Sequence, residues 1–312
     1  MTVRVHGMLP GEVGVVEATR HKGILVGELK ELQVASPSRK NPEELHYLSC
    51  SPWQAMEYPL QAELKQSILA DLYAYYDDAP AVRFEAAQQF FGYRTKVEFS
   101  FCDRDGDHTI PLSLAFHVRG GGARRIALPK GCALVSDAMN TVALAICERL
   151  RDAGCTASDL KTIIVRESKA TGQVLALLFA KNEQLPKISV QGIPHLSGFM
   201  AFYSTHRSPA SVPTKLMWQE GETHVLERIE DVTITYSWDS FFQNNIPMFT
   251  AALQEIRSHV SKEDRVLELY AGAGTIGLAL CAQAKSVHGV EIVAGAVESA
   301  VRNAQENEIT NY

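Results

Sequence analysis

The segment Val266-Leu-Glu-Leu-Tyr-Ala-Gly-Ala-Gly-Thr-Ile-Gly-Leu278, followed by Val287-His-Gly-Val-Glu291, constrains this chain more than any other feature. An apolar strand over 265–270, broken by one acid at Glu268, runs into a Gly-rich turn and then a helix over 276–284. A second strand over 286–291 ends in Glu291, and a second helix covers 294–307. Strand, Gly turn, helix, strand, acid and helix in that order open a doubly wound parallel sheet. Gly272 and Gly274 let the backbone turn sharply and approach a ligand, because no Cβ stands in the way. Gly277 lets the following helix lie close to the strand.

Glu291 falls 17 residues after Gly274 at the end of the second strand. A carboxylate there is placed to accept hydrogen bonds from both hydroxyls of a ribose, as expected for an adenosine-containing cofactor at the carboxyl ends of parallel strands. The spacing alone does not name that cofactor, since Gly272-x-Gly274-x-x-Gly277 also satisfies the dinucleotide fingerprint. Two details favour S-adenosylmethionine over NAD. Glu268 sits just before the turn, where a carboxylate would attract an ammonium and repel a pyrophosphate. The motif also lies late in the chain, behind a large unrelated region.

That region reads as two further parts. Over 1–45, the runs Val3-Arg-Val, Val13-Gly-Val-Val and Ile24-Leu-Val-Gly-Glu-Leu are short strands punctuated by turns, a pattern that suits a small β-barrel. Ser36-Pro-Ser-Arg-Lys-Asn-Pro is a break. Leu60, Leu64, Ile68, Leu69 and Leu72 recur at helical spacing and predict a helix over 59–76. From 81 to 238 strands dominate (95–101, 112–118, 162–166, 173–179 and 231–236), with one helix over 137–153. This is an α+β domain with an expected antiparallel sheet. The division is therefore 1–45, a linker and helix over 46–80, 81–238, and 239–312.

Bulk properties exclude several classes. An apolar fraction of 46% and a charged fraction of 21% fit a folded, water-soluble chain, and no apolar run approaches the roughly 20 residues of a membrane-spanning helix. The N-terminus lacks the apolar core of a signal peptide, which points to the cytoplasm. No two of the six cysteines are spaced as CxxC, so reduced thiols are expected. The net charge of −6 argues against a uniformly basic nucleic-acid binder. Locally, however, residues 94–130 hold seven basic side chains against four acidic ones.

Five segments together resemble one family. Ser240-Phe-Phe-Gln-Asn-Asn245 is similar to the Phe-Phe-Gln-x-Asn signature of RNA uracil-5-methyltransferases. Tyr93-Arg-Thr-Lys-Val-Glu-Phe99 resembles their Tyr-Arg-Asn-Lys segment, with Thr95 where Asn is usual. Ala115-Phe-His-Val-Arg-Gly120 resembles Gly-Phe-His-x-Arg-Gly, and His6-Gly-Met-Leu-Pro-Gly-Glu12 resembles the TRAM barrel, a small RNA-binding β-domain. Gln54-Ala-Met-Glu-Tyr58 and Gln61…Lys65 match the spacing into the family's connecting helix. The likeness covers essentially the whole chain in family order.

The resemblance implies a TRAM- or OB-like barrel, a central RNA-binding domain and the first part of a Rossmann-like S-adenosylmethionine domain. It implies methylation of carbon 5 of a uridine in ribosomal or transfer RNA, by a monomer. Carried over residue by residue, its cofactor contacts fall on Gln243, Tyr270, Thr275 and Glu291, beside Gly272 and Gly274. Arg94, Lys96, His117 and Arg119 are the candidate RNA contacts. The family's catalytic cysteine and carboxylate follow an Asp-Pro-Pro-Arg segment with no counterpart before Tyr312. No catalytic residue is assigned, they are expected beyond Tyr312, and the sequence reads as a truncated form. Many relatives carry a four-cysteine iron–sulfur cluster near Leu48-Ser-Cys50-Ser-Pro-Trp. Here only Cys50 and Cys132 stand near those positions, too few for such a cluster, so neither cluster nor metal is expected. Two alternatives stay open: a non-catalytic RNA-binding protein with a similar pocket, and an NAD-dependent oxidoreductase built on the same glycines.

Overall fold

The computed structural model describes residues 2–21, 23–76, 78, 81–105, 108–119 and 123–312, and the chain resolves into two compact units. The first comprises residues up to Gln88 together with 104–108 and 115–128, and the second the remainder.

In the first unit, β1 (Arg4–His6), β2 (Val13–His21) and β3 (Ile24–Val34) form a sheet in the order β1-β3-β2. β2 and β3 pair antiparallel, and β1 joins β3 in parallel. Among the described residues these strands make a three-stranded sheet, where the sequence suggested a barrel. Its loops are tied by a bidentate pair. Arg39 donates to both carboxylate oxygens of Glu12, at 2.5 and 2.6 Å, and to the Gly7 carbonyl at 2.6 Å. The guanidinium holds the Glu12 carboxyl at about 2, well below the usual range. A short helical turn, α1 (Tyr47–Cys50), precedes α2 (Tyr58–Tyr73), which starts with Pro at its first turn and covers most of the predicted helix. No α2 residue is buried, and its stripe residues Ile68, Leu69 and Leu72 are exposed.

The second unit is built on a sheet whose strands are β4 (Lys96–Asp105), β5 (His108–His117), β7 (Leu160–Glu167), β8 (Val174–Ala180), β9 (Leu196–Tyr203) and β10 (Lys215–Gly221), in the order β10-β9-β8-β7-β4-β5. The end of β5 and β6 (Arg125–Ala127) belong to the first unit and pair with each other antiparallel. The sheet is mixed rather than antiparallel, because β8 and β9 run parallel. Every residue of β8 is buried. Helix α3 (Asp137–Asp152) packs on β7 and β8 and buries Met139, Val142, Ile146 and Leu150 at helical spacing. Its start is capped by Ser136, whose hydroxyl accepts from the Met139 N–H at 3.2 Å.

A hairpin, β11 (His224–Ile229) and β12 (Val232–Ser237), leads to α4 (Ile246–Ser258). Then come β13 (Arg265–Leu269), α5 (Thr275–Cys281), β14 (Ser286–Val290) and α6 (Ala294–Glu306). β13 and β14 pair in parallel with Val266 opposite Val287, the unit expected from the Gly-rich motif.

Candidate cofactor and RNA-binding site

The Gly turn starts where β13 ends. Tyr270 adopts a left-handed backbone (φ 62°) and projects its ring into solvent, 89% exposed. The next N–H, of Ala271, is fixed by the Val290 carbonyl of β14 at 3.1 Å, and the Gly274 N–H closes the turn on the Ala271 carbonyl at 2.9 Å. Gly272 (φ 57°) and Gly274 (φ 81°) also need the left-handed region. A Cβ on Gly272 would meet nothing within 4 Å and would point into open space. One on Gly277 would stand 2.3 Å from Glu268 Oε2 and 2.6 Å from the Tyr312 ring. The two glycines thus serve different ends, one leaving a surface bare and the other admitting α5 against β13.

Glu291 is brought to the same turn. Its Oε2 accepts from the Gly272 N–H at 2.9 Å, and its Oε1 from the N–H groups of Ile292 and Val293 at 2.8 and 2.9 Å. Those donors, Val293 first, hold its pKa below the ordinary value, so the side chain is an ionised acceptor at neutral pH. Oε1 has both lone pairs engaged, and Oε2 retains acceptor capacity beyond the Gly272 bond. Thr275 opens α5 directly after Gly274. Glu268 faces beneath the turn, where its Oε2 accepts from the Gly277 N–H at 3.0 Å. Burial pushes its carboxyl up to about 7, with the Gly277 bond opposing.

Gln243 is held by a different set of contacts. Its carbonyl accepts from the Thr95 hydroxyl at 3.1 Å, the Asn244 carbonyl from the Thr95 N–H at 3.1 Å, and the Asn244 side-chain oxygen from the Lys96 N–H at 2.8 Å. Arg94 and Asn245 form an isolated bridge. Two motifs about 150 residues apart in sequence are therefore one hydrogen-bonded structure, and Thr95 uses its hydroxyl in that junction. Phe242 anchors the segment by stacking on Tyr236, ring centroids 4.1 Å apart. The guanidinium of Arg166 lies over the Tyr236 ring, 5.6 Å from its centroid, and donates to the Ser240 carbonyl at 2.7 Å. Asn245 caps α4 by accepting from the Met248 N–H at 3.2 Å, and the Asn-Ile-Pro order signals that cap in the sequence.

The candidate RNA contacts divide between the units. Arg94 and Lys96 lie in the second, half-buried; burial, then Arg166, lowers the Lys96 pKa. His117 and Arg119 lie in the first and are exposed. Burial of its ring and the nearby Arg125 lower the His117 pKa, so at neutral pH it is an uncharged hydrogen-bonding group. Arg119 donates to the Leu48 carbonyl at 2.9 Å. Gly120, the last residue of that motif, lies outside the described residues. Cys281 is buried on α5 with its thiol pushed up to about 11 by burial, which suits packing and not nucleophilic attack.

Asn303 is the residue that sequence reasoning missed. Fully buried on α6, it donates to the Ala273 carbonyl at 3.0 Å and accepts from the Thr235 N–H at 2.9 Å. It fixes the Gly turn to the hairpin, and a lone Asn within a helical pattern carries no signal of that role.

Residues 211–312 match the profile of the tRNA (Uracil-5-)-methyltransferase family. An uncharacterized RNA methyltransferase of Lactiplantibacillus plantarum is 26% identical over 98% of this chain and 67% of its own length. One from Oceanobacillus iheyensis is 27% identical over 97% of this chain and 69% of its own. The crystal structure of Pyrococcus abyssi tRNA (uracil-54, C5)-methyltransferase, solved with S-adenosyl-L-homocysteine, superposes with a TM-score of 0.77 at 20% identity, covering 99% of this chain and 73% of that one.

The fold is that of the Pyrococcus methyltransferase, and the sequence is similar to the tRNA (Uracil-5-)-methyltransferase family over residues 211–312 and to curated RNA methyltransferases over nearly its whole length.

Proposed function

We propose that this chain binds S-adenosylmethionine at the Gly272–Gly274 turn and serves the methylation of carbon 5 of a uridine in RNA, with transfer RNA the favoured substrate over ribosomal RNA. The observation that carries this reading is the ionised Glu291 carboxylate, hydrogen-bonded to the bare Gly272 backbone at the open end of β14. A carboxylate so fixed offers Oε2 as an acceptor to a ribose hydroxyl, and the side-chain-free backbone beside it admits a ligand. When bound, the cofactor supplies an electrophilic methyl group on a sulfonium. Tyr270 offers an exposed ring face beside that position, Thr275 a hydroxyl, and Gln243 an amide for the amino-acid end. Support for RNA as substrate comes from the relatives' names, and for transfer RNA from the matched family and the Pyrococcus protein.

In this reading the 1–45 and 81–238 segments engage RNA, residues 239–312 hold the cofactor, and the protein works as a cytoplasmic monomer. Arg94, Lys96 and Arg119 make backbone contacts, and neutral His117 makes a hydrogen bond to a base or sugar. The target base is flipped from its stack, as chemistry on a ring carbon of a base requires.

The test is calorimetry with S-adenosylmethionine, S-adenosylhomocysteine and NAD side by side. The first two bind, NAD does not, and Glu291→Gln weakens both by at least about tenfold through loss of charge-assisted bonds. Tighter binding of NAD would overturn the assignment.

A further inference from the structure

Among the described residues Arg166, in the second compact unit, is the one arginine or lysine that is buried, with 4% of its surface exposed. Its surroundings do little to compensate the charge. On β7 it stands opposite Lys96 of β4, so its cross-strand neighbour is a second cation and the two repel. The carboxylate that acts on it, Asp239, is exposed and already accepts from the Ser237 hydroxyl at 2.6 Å. Its buried Nε meets no acceptor among the described residues. Burial lowers the Arg166 pKa, yet a guanidinium stays charged at neutral pH. A buried charge so poorly matched is costly, so its few contacts show what the fold draws from it.

Those contacts converge on the segment that leads into Gln243. Arg166 Nη2 bonds the Ser240 carbonyl, and the guanidinium covers the Tyr236 ring, on which Phe242 stacks. Arg166 therefore holds this segment at two places, by a hydrogen bond to its backbone and through an aromatic stack. From the neighbouring strand, Thr95 and Lys96 hold Gln243 and Asn244 by their carbonyls and by the Asn244 side chain. None of these bonds uses the Gln243 side chain. Its backbone is fixed from β4 and β7, which leaves the amide to be aimed rather than consumed.

We propose that Arg166 is a positioning residue, which sets the 240–243 backbone so that the Gln243 amide is presented to the cofactor, without touching the cofactor itself. The inference rests on the reading that Gln243 binds the amino-acid end of S-adenosylmethionine. The residue type suits the task. A planar guanidinium lies flat over an aromatic ring while donating in its own plane to a carbonyl, and a lysine ammonium does one or the other less well. The role also differs from plain packing in what it controls. Loss of a packing contact lowers stability, whereas loss of positioning lowers the affinity of the folded protein, and does so through Gln243 alone. In the sequence Arg166 only ends a predicted strand, which carries no signal of this role.

The experiment is a double-variant cycle on the full chain, read by calorimetry with S-adenosylhomocysteine. Arg166→Met and Gln243→Ala each weaken binding at least about fivefold, and the variant carrying both binds no more weakly than the weaker single. Arg166→Met combined with Glu291→Gln is the control, in which the two losses multiply. Arg166→Lys, which keeps the charge and a donor, recovers part of the affinity. Circular dichroism verifies folding, and should Arg166→Met not fold, Arg166→Lys replaces it in the cycle. Amide exchange of the unliganded protein gives a second readout: protection at Thr95 and Lys96, which bond Asn244, falls in the Arg166 variant and not in Glu291→Gln. Unchanged affinity in the Arg166 variant beside weakened Gln243→Ala overturns the positioning role alone, as do losses that multiply in that pair or protection that stays intact. Unchanged affinity in Gln243→Ala removes the cofactor role of Gln243, and the positioning role falls with it.

Discussion

Glu268 stands half-buried below the Gly turn, bonded to the Gly277 N–H and raised from its ordinary 4.5 to about 7. The folded protein therefore holds this proton more tightly than the unfolded chain. The contribution to stability is full below pH 4.5 and is lost as pH rises through 7. Discounted for its partial exposure to solvent, the effect is about 2 kcal/mol. Glu268→Gln, which keeps an acceptor for Gly277, should raise stability at pH 8 and flatten its decline between pH 5 and 8. Urea denaturation at several pH values checks this, and an unchanged slope would show that the group is solvated. The glycines divide in the same concrete way. Gly277→Ala collides with Glu268 and Tyr312 and should cost about 1–3 kcal/mol. Gly272→Ala meets no neighbour, so it should cost only about 1–2 kcal/mol of left-handed strain, yet it places a methyl group where the cofactor is proposed to lie. Denaturation curves and cofactor titration of the two variants separate packing from ligand access.

The junctions between elements rest on asparagines. Asn303 joins α6 to both the Ala273 carbonyl and the Thr235 N–H, and Asn307 exchanges bonds with both backbone groups of Thr233, at 2.7 and 2.8 Å. Asn303→Leu leaves a carbonyl and an N–H buried and unpaired, and should destabilise the protein by about 3 kcal/mol. Loss of hydrogen-exchange protection at Thr235 would place the effect at this junction. The elements themselves were unevenly legible. Helices α3 and α6 appear within a few residues of their predicted bounds because a 3.6-residue apolar period is a local property. Strands β9, β10 and β11 carry no clear strand signal in the sequence. Lys215-Leu-Met-Trp-Gln-Glu-Gly221 has no β-branched residue, and its pairing with β9 depends on a close approach, since a Cβ on Gly198 would stand 1.9 Å from the Glu222 carbonyl oxygen.

At the scale of the molecule, the chain divides into two compact units, one holding the small β1–β3 sheet and the other most of the mixed sheet with its helices. Thermal unfolding should therefore depart from a single two-state transition, with the calorimetric enthalpy exceeding the van't Hoff value. Coincidence of the two enthalpies would show that the units unfold as one. No helix among the described residues is long and apolar enough to cross a membrane.

By itself the sequence determined the β13–α5–β14–α6 order, the left-handed turn at Gly272 and Gly274, and the arrival of Glu291 at that turn. Each follows from local chemistry, because a parallel βαβ unit with glycines in its first turn has few alternatives. Only the tertiary structure decided that β8 and β9 run parallel. The chain between them, 181–195, crosses over without a helix, so no periodicity announces the crossover. Only it joined Thr95 and Lys96 to Gln243 and Asn244, and set Asn303 beneath the Gly turn. Such contacts close across many tens of residues and are chosen by which buried donors find acceptors once the core has packed.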